Sequence, residues 1–177
     1  MKLGIALLGL LAATACFHRA PQLPAPIPRV DGDQHVAFAL RYTDIVIGTG
    51  ASVAPRSCIY AHYTGWLTDG KKFDSSRDTT NDGKPRTALS FPQGARRVIA
   101  GWDLGFDGMK VGGRRRLFIP YQLAYGEAGR PPVIPPKSEL IFDVELMGVR
   151  DTLPRAQPTP SGQPAPPPQC PPYQPGF

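Results

Sequence analysis

Residues 98–109 read Val-Ile-Ala-Gly-Trp-Asp-Leu-Gly-Phe-Asp-Gly-Met. Ile99, Trp102, Phe106 and Met109 recur at steps of three, four and three residues, the spacing of one face of a helix. The three glycines in the same stretch weaken an isolated helix. We therefore predict a short helix that is held in place by packing against other elements.

Strand patterns surround this helix on both sides. The alternation of Phe38, Leu40 and Tyr42, continued by residues 45–47, predicts one strand, and further strands are predicted at 57–67, 115–119 and 140–149. Asp69-Gly70 predicts a turn before Lys72-Phe73, and residues 121–137 form a loop containing two Pro-Pro pairs. Several strands with one helix predict an α+β fold, an antiparallel β-sheet wrapped around one short α-helix.

The 22 prolines divide the chain into segments. Four of them lie at 21–28 and ten at 154–175, which leaves a middle part of ordinary composition. We predict a signal peptide at 1–15, a Pro-rich linker at 16–35, one folded domain at 36–150 and a disordered Pro-rich tail at 151–177. The tail has few apolar residues to bury, so its deletion is expected to change stability by less than about 0.5 kcal/mol.

The net charge of +6 does not indicate a nucleic-acid-binding protein. The basic clusters are Arg96-Arg97 and Arg114-Arg115-Arg116, and neither is interleaved with aromatic residues or placed on a groove-reading helix. We interpret both clusters as solvated strand or loop faces.

The first sixteen residues have the pattern of an export signal. Lys2 is followed by thirteen uncharged residues, too few for a membrane span, which needs about 20. Ala13-Thr14-Ala15-Cys16 then resembles the end of a bacterial lipoprotein signal, in which Cys16 becomes the lipidated N-terminus. The alternative is an ordinary secretory signal cut after Ala15. Because Phe17 rather than an aspartate follows Cys16, we expect the outer membrane rather than the inner one as the destination.

Export would place the other two cysteines in an oxidising compartment. Cys58 lies in a predicted strand and Cys170 in the Pro-rich tail. A disulfide between them remains open, but we expect Cys58 to be a buried, inert thiol. No Cys/His spacing is typical of a metal site, and no cofactor is predicted.

A series of short motifs occurs in a recognisable order. They are Ala61-His62-Tyr63-Thr64-Gly65, Asp69-Gly70-Lys71-Lys72-Phe73-Asp74-Ser75-Ser76, Val98-Ile99-Ala100-Gly101-Trp102, Met109-Lys110-Val111-Gly112-Gly113, Ala124-Tyr125-Gly126, Ile134-Pro135-Pro136 and Leu140-Ile141-Phe142-Asp143-Val144-Glu145-Leu146. In order and spacing, residues 45–149 resemble the FKBP-type peptidyl-prolyl isomerases.

The resemblance implies an apolar cup between sheet and helix that binds proline. It places the floor at Trp102 and the substrate-binding walls at Phe73, Val98, Phe142 and Ile134. It also implies catalytic roles for Asp74, which accepts a hydrogen bond from Tyr63, and for two donors to peptide carbonyls, the Ile99 N–H and the Tyr125 hydroxyl.

The sequence departs from the family pattern after Ser76. The loop at 77–86 is longer, and Arg86 stands where an aromatic rim residue is common. The arginine that usually pairs with the pocket aspartate is absent from its place, and Arg77 is the predicted substitute. We expect Arg86 to favour an acidic residue before the substrate proline.

The function implied is a peptidyl-prolyl cis-trans isomerase that acts on exported proteins in the bacterial cell envelope. Proline-containing peptides, unfolded exported proteins and macrolide inhibitors of the family are the expected partners, and a monomer is expected because no helical dimerisation segment precedes the domain. The alternatives are a non-catalytic proline-peptide binding module or chaperone, and a virulence-associated surface lipoprotein.

Overall fold

The computed structural model describes residues 24, 26–37, 39–152 and 169–174 of the chain. This part contains seven strands: β1 Gln34–Ala37, β2 Leu40–Val46, β3 Ser57–Leu67, β4 Lys72–Ser75, β5 Leu89–Pro92, β6 Arg114–Ile119 and β7 Leu140–Thr152. They form one antiparallel sheet in the order β1-β2-β6-β7-β3-β4, and β5 pairs with β3. One α-helix, α1 Ala100–Gly105, lies against the sheet, and a 3-10 helix spans Tyr121–Leu123. The described residues contain no helix that is long and apolar enough to cross a membrane.

The predicted α+β architecture is confirmed, with β3 at the predicted bounds. The strand predicted from Phe38 to Ile47 is confirmed as β2 over Leu40–Val46. It begins later than predicted, because Ala39 has a φ of +67° and the chain reverses there into the β1–β2 hairpin. Phe38 itself lies outside the described residues. Sequence reasoning missed β5, whose four residues end in Pro92 and show too little alternation to be recognised as a strand.

Two helix glycines bring α1 close to β6. A Cβ added at Gly101 would lie 2.3 Å from a side-chain carbon of Ile119, and one added at Gly105 would lie 2.6 Å from Leu117. These glycines lower intrinsic helix propensity, but their lack of side chains is what allows the close packing. The helix then buries Trp102 and packs it into the main core.

The expectation that Arg114-Arg115-Arg116 forms a solvated face is wrong for two of the three. The Arg115 side chain reaches back to the helix, where its Nη1 donates to the Gly105 carbonyl at 2.9 Å, and its Nε donates to Asp44 at 2.7 Å. Arg116 is completely buried and pairs through two nitrogens with Asp143, at 2.5 and 2.7 Å. Both are held inside because a carboxylate compensates each charge.

The end of the Pro-rich linker packs on the outer face of the sheet. Ile27 is buried with Trp66, Phe118 and Ile141, and the Pro28 carbonyl accepts a hydrogen bond from Arg116. The folded unit therefore begins before the predicted boundary at residue 36, since this apolar face of the sheet is covered by the linker.

The prediction of a free Cys58 thiol and of a wholly disordered tail is also wrong. Cys58 and Cys170 form a disulfide, with Cα atoms 5.5 Å apart. Residues 169–174 consequently lie on the domain, and the Tyr173 ring contacts the Tyr60 ring at a centroid distance of 5.5 Å. The cross-link brings the segment to β3 although the intervening sequence shows no pattern that predicts it.

Candidate active site

A cavity of about 200 Å³ opens between α1 and the inner face of the sheet. Eight of the nine pocket residues that the sequence predicted line it: Tyr63, Phe73, Asp74, Val98, Ile99, Trp102, Tyr125 and Phe142. They come from β3, β4 and β7, from the start of α1 and from the loop after β6. Residues far apart in sequence thus converge on one site.

The ninth residue, Ile134, occupies a different place. It is 3% exposed, belongs to the main core and does not line the cavity. Its backbone forms a bridge with Arg130, which fixes the loop that contributes Arg130 to the pocket. Ile134 therefore supports the pocket from behind instead of forming its wall.

Aromatic rings in edge-to-face contact form the base of the cavity. The Trp102 ring centroid lies 4.9 Å from that of Tyr63 and 5.3 Å from that of Phe142, and Phe73 meets Phe142 at 5.5 Å. A Cβ at Gly65 would lie 2.7 Å from both Phe73 and Phe142, so the strand needs a glycine there for these rings to meet. Such pairs fix ring orientation, and Trp102 is therefore held rigidly.

Asp74 is the acidic group of the pocket, and three donors hold its carboxylate. The Tyr63 hydroxyl donates at 2.6 Å, Arg86 Nη1 at 2.8 Å and the Ser75 N–H at 2.9 Å. The predicted Arg77 partner is wrong, because Arg77 pairs with Glu145. Arg86, which was expected to be a free rim residue, takes the role of the missing arginine and also donates to the Ser75 carbonyl.

These contacts keep Asp74 ionised. Burial acts to raise the pKa of the Asp74 carboxyl, but the hydrogen bonds from Tyr63, Arg86 and Ser75 and the charge of Arg86 together hold that pKa below its usual value. Burial and the hydrogen bond to Asp74 raise the pKa of Tyr63, so its hydroxyl keeps its proton. The pocket thus holds a fixed negative charge near neutral pH.

Two donors of the pocket remain unengaged within the described residues. The N–H of Ile99 precedes the first turn of α1 and donates to none of these residues, and neither does the Tyr125 hydroxyl. Both groups line the cavity and are partly exposed. Each is available to a carbonyl of a bound peptide.

Sequence reasoning missed three lining residues, Leu89, Arg97 and Arg130. Leu89 lies on the unpredicted strand β5. Arg97 belongs to the Arg96-Arg97 cluster, and only its position immediately before Val98 could have indicated the pocket. Arg130 carried no signal, because it lies in a loop whose path is set by the contact with Ile134.

The fold and the site define a class: an antiparallel sheet around one short helix, with an aromatic cup between them and a fixed carboxylate at its wall. Comparison with known proteins gives the same class. The sequence profile of the FKBP-type peptidyl-prolyl cis-trans isomerase family matches residues 50–147.

Individual relatives agree with this match. The chain is 47% identical over 106 residues to an FK506-binding protein of Neisseria meningitidis serogroup A, covering 60% of this chain and 92% of that protein. It is 51% identical over 108 residues to FK506-binding protein 4 of Dictyostelium discoideum, covering 61% of this chain but only 28% of the larger protein. The crystal structure of FkpA from Escherichia coli superposes with a TM-score of 0.57 at 39% identity, covering 66% of this chain and 51% of FkpA. The chain belongs to the FKBP-type peptidyl-prolyl cis-trans isomerase family.

Proposed function

We propose that this chain accelerates rotation about the peptide bond that precedes proline in proteins exported to a bacterial cell envelope. The observation that carries the proposal is the combination, in one apolar cavity, of a rigid Trp102 floor, an ionised Asp74 and two unengaged carbonyl-binding donors. This combination suits a reaction that breaks amide resonance without forming or cleaving a covalent bond.

The mechanism is differential binding. Rotation faces a barrier of about 18–20 kcal/mol because the planar amide is stabilised by resonance. The twisted amide is less polar than the planar one, so an apolar cavity that excludes water favours it over the ground state. The proline ring lies on Trp102, and the Ile99 N–H and Tyr125 hydroxyl hold carbonyl groups of the flanking chain. Asp74 faces the twisted carbonyl, with its position fixed by Tyr63 and Arg86.

The test is a protease-coupled isomerisation assay on a proline tetrapeptide with wild-type protein and Asp74 variants. Asp74→Leu is expected to lower kcat/KM by about ten-fold, roughly 1.4 kcal/mol, because the negative charge acts mainly on the twisted amide. Peptide affinity is expected to change far less. Asp74→Asn keeps the shape of the side chain while removing its charge, so it distinguishes lost charge from lost folding.

The matched control is Asp82→Asn, which removes an exposed carboxylate from the loop before Arg86, outside the cavity. Its rate should equal that of the wild type. Binding of proline peptides without any acceleration by the wild type would contradict catalysis and favour the binding-module alternative.

The cellular location is proposed from residues outside the described part of the chain, which include Cys16. The charged start, the apolar run and the small residues before Cys16 support export and lipidation, with Phe17 favouring the outer membrane. The disulfide between Cys58 and Cys170 supports an oxidising compartment. Acyl chains, at about 0.8 kcal/mol per buried methylene, would hold the domain at the membrane.

Detergent phase partitioning tests this location. Cys16→Ala should move the protein from the detergent phase to the aqueous phase, since the variant has no thiol to acylate. Thr14→Ala, which keeps a small residue at the neighbouring position, should partition like the wild type. A Cys16→Ala variant that stays in the detergent phase would contradict the lipid anchor.

We extend the same proposal to the ligands and the oligomeric state. The relatives from Neisseria and Dictyostelium are named for binding FK506, and the aromatic cup of this chain suits the same macrolide class. We propose that such a macrolide competes with proline peptides for the cavity and that the protein is a monomer, which equilibrium sedimentation would measure.

A further inference from the structure

Among the described residues, only one of the three arginines at the pocket mouth is paired with a carboxylate. Asp74 and Arg86 compensate each other across 2.8 Å. Arg97 and Arg130 line the same cavity and are exposed, and among the described residues neither has a carboxylate within 4.0 Å. The mouth therefore carries two positive charges that no acidic side chain of the described part of the protein neutralises.

Each of these arginines stands beside one of the donors that hold substrate carbonyls. Arg97 precedes Ile99 by two residues. The guanidinium carbon of Arg130 lies 5.9 Å from the Tyr125 ring centroid, and the Arg130 backbone is tied to buried Ile134 by hydrogen bonds of 2.8 and 3.0 Å. Both side chains therefore line the cavity in which the proline is proposed to bind.

We propose that Arg97 and Arg130 make the pocket selective for proline segments that carry an acidic side chain next to the proline. This inference rests on the proposed isomerase function and names the substrate class for it. The preference for an acidic residue, which the sequence assigned to Arg86, is here assigned to Arg97 and Arg130, because the Arg86 guanidinium already pairs with Asp74. A carboxylate near an exposed guanidinium gains a modest, salt-sensitive attraction, so we expect a preference of about three- to ten-fold over an isosteric amide at low salt.

The experiment uses tetrapeptides with Glu, Gln, Leu or Lys before proline and a second set with Glu or Gln after it. The measured quantity is the ratio of kcat/KM for Glu over Gln, in low salt and in about 0.5 M salt, where the Debye length falls to a few ångströms. A ratio above one in at least one set is expected for the wild type. It should approach one in high salt and in the Arg97→Gln/Arg130→Gln variant.

The matched control is Arg114→Gln, which removes an exposed arginine from the start of β6, outside this cavity. It changes net charge by one unit and should keep the wild-type ratio. A wild-type ratio of one or below in both sets, or a ratio that survives loss of both Arg97 and Arg130, would overturn the inference.

Failure of the inference and failure of the proposed function give different results. Turnover of the Leu peptide without a Glu preference would leave the isomerase function standing and overturn the selectivity. If no peptide is turned over, the proposed function fails. The Glu-to-Gln ratio of dissociation constants, measured by tryptophan fluorescence on the same proteins, then decides the selectivity.

Discussion

Removing the Cys58–Cys170 disulfide should destabilise the domain strongly without affecting the active site. The perturbation is the Cys58→Ala/Cys170→Ala variant, or the wild type in reductant. The cross-link joins residues 112 positions apart, so in the unfolded chain it closes a loop as long as the whole domain. Because of this bond, we now expect a large loss of stability in place of the near-neutral effect that the sequence predicted for deletion of the tail.

The magnitude follows from that loop. The chain-entropy relation gives a ceiling of about 5 kcal/mol for a loop of roughly this length, and measured disulfides usually contribute about 2–4 kcal/mol. The Tyr60–Tyr173 ring contact contributes about 0.5–1.5 kcal/mol and can persist in part after reduction. We therefore expect a loss of about 3 kcal/mol in the free energy of unfolding, or about 8–12 °C in Tm.

Urea and thermal unfolding would measure this loss, with Tyr173→Ala as the variant that isolates the ring contact. The isomerase rate should stay at the wild-type level, because Cys58 is five residues from Tyr63 along β3, roughly 16 Å. If mass spectrometry shows the bond intact and its reduction shifts Tm by less than about 2 °C, the segment 169–174 does not stabilise the fold and the reasoning is refuted.

Two further predictions concern the pocket. Trp102→Ala should abolish measurable peptide binding and cost about 3 kcal/mol or more of stability, because the buried ring packs both α1 and the pocket aromatics; unchanged thermal stability would contradict this. The pKa of Asp74 is lower in the folded protein than in the unfolded chain, where it is near 3.8. The contacts of the ionised carboxylate therefore stabilise the fold fully above the unfolded pKa, and this stabilisation is lost as the pH falls through the lower, folded pKa. The difference in unfolding free energy between wild type and Asp74→Asn, about 1 kcal/mol for so exposed a group, should therefore be constant from pH 7 to pH 5 and shrink only below about pH 4; a difference that vanishes by pH 5 would refute the assignment.

The local sequence pattern was sufficient to predict a strand or helix where that pattern lies within the element itself. The residues of β3 are rich in strand formers, and the apolar spacing of Ile99, Trp102 and Phe106 marks the short helix despite its glycines. The pocket residues were found by motif, since each lies within a short string that carries the resemblance to the family. The fold class and most of the cavity wall were therefore predictable.

Contacts between side chains far apart in sequence were not predictable, because the neighbouring residues do not indicate which partner a side chain will meet. Arg116 looks like a surface residue until Asp143, 27 positions away, is brought opposite it on β7. Arg86 looks like a rim residue until its loop folds back to Asp74 on β4. The disulfide and the burial of Ile27 depend in the same way on where the arms return to the domain.

Five arginines of the described residues fall into three roles, and the nearest carboxylate decides which. Arg115 and Arg116 are buried because Asp44 and Asp143 compensate them, and they fix the helix and the outer face of the sheet. Arg86 is compensated by Asp74 and holds the charge that the proposed mechanism uses. Arg97 and Arg130 have no such partner among the described residues, so their charge is available to a ligand. Catalysis and selectivity would then depend on separate charges: neutralising Arg97 and Arg130 should change which prolines are chosen while leaving Asp74 ionised and positioned.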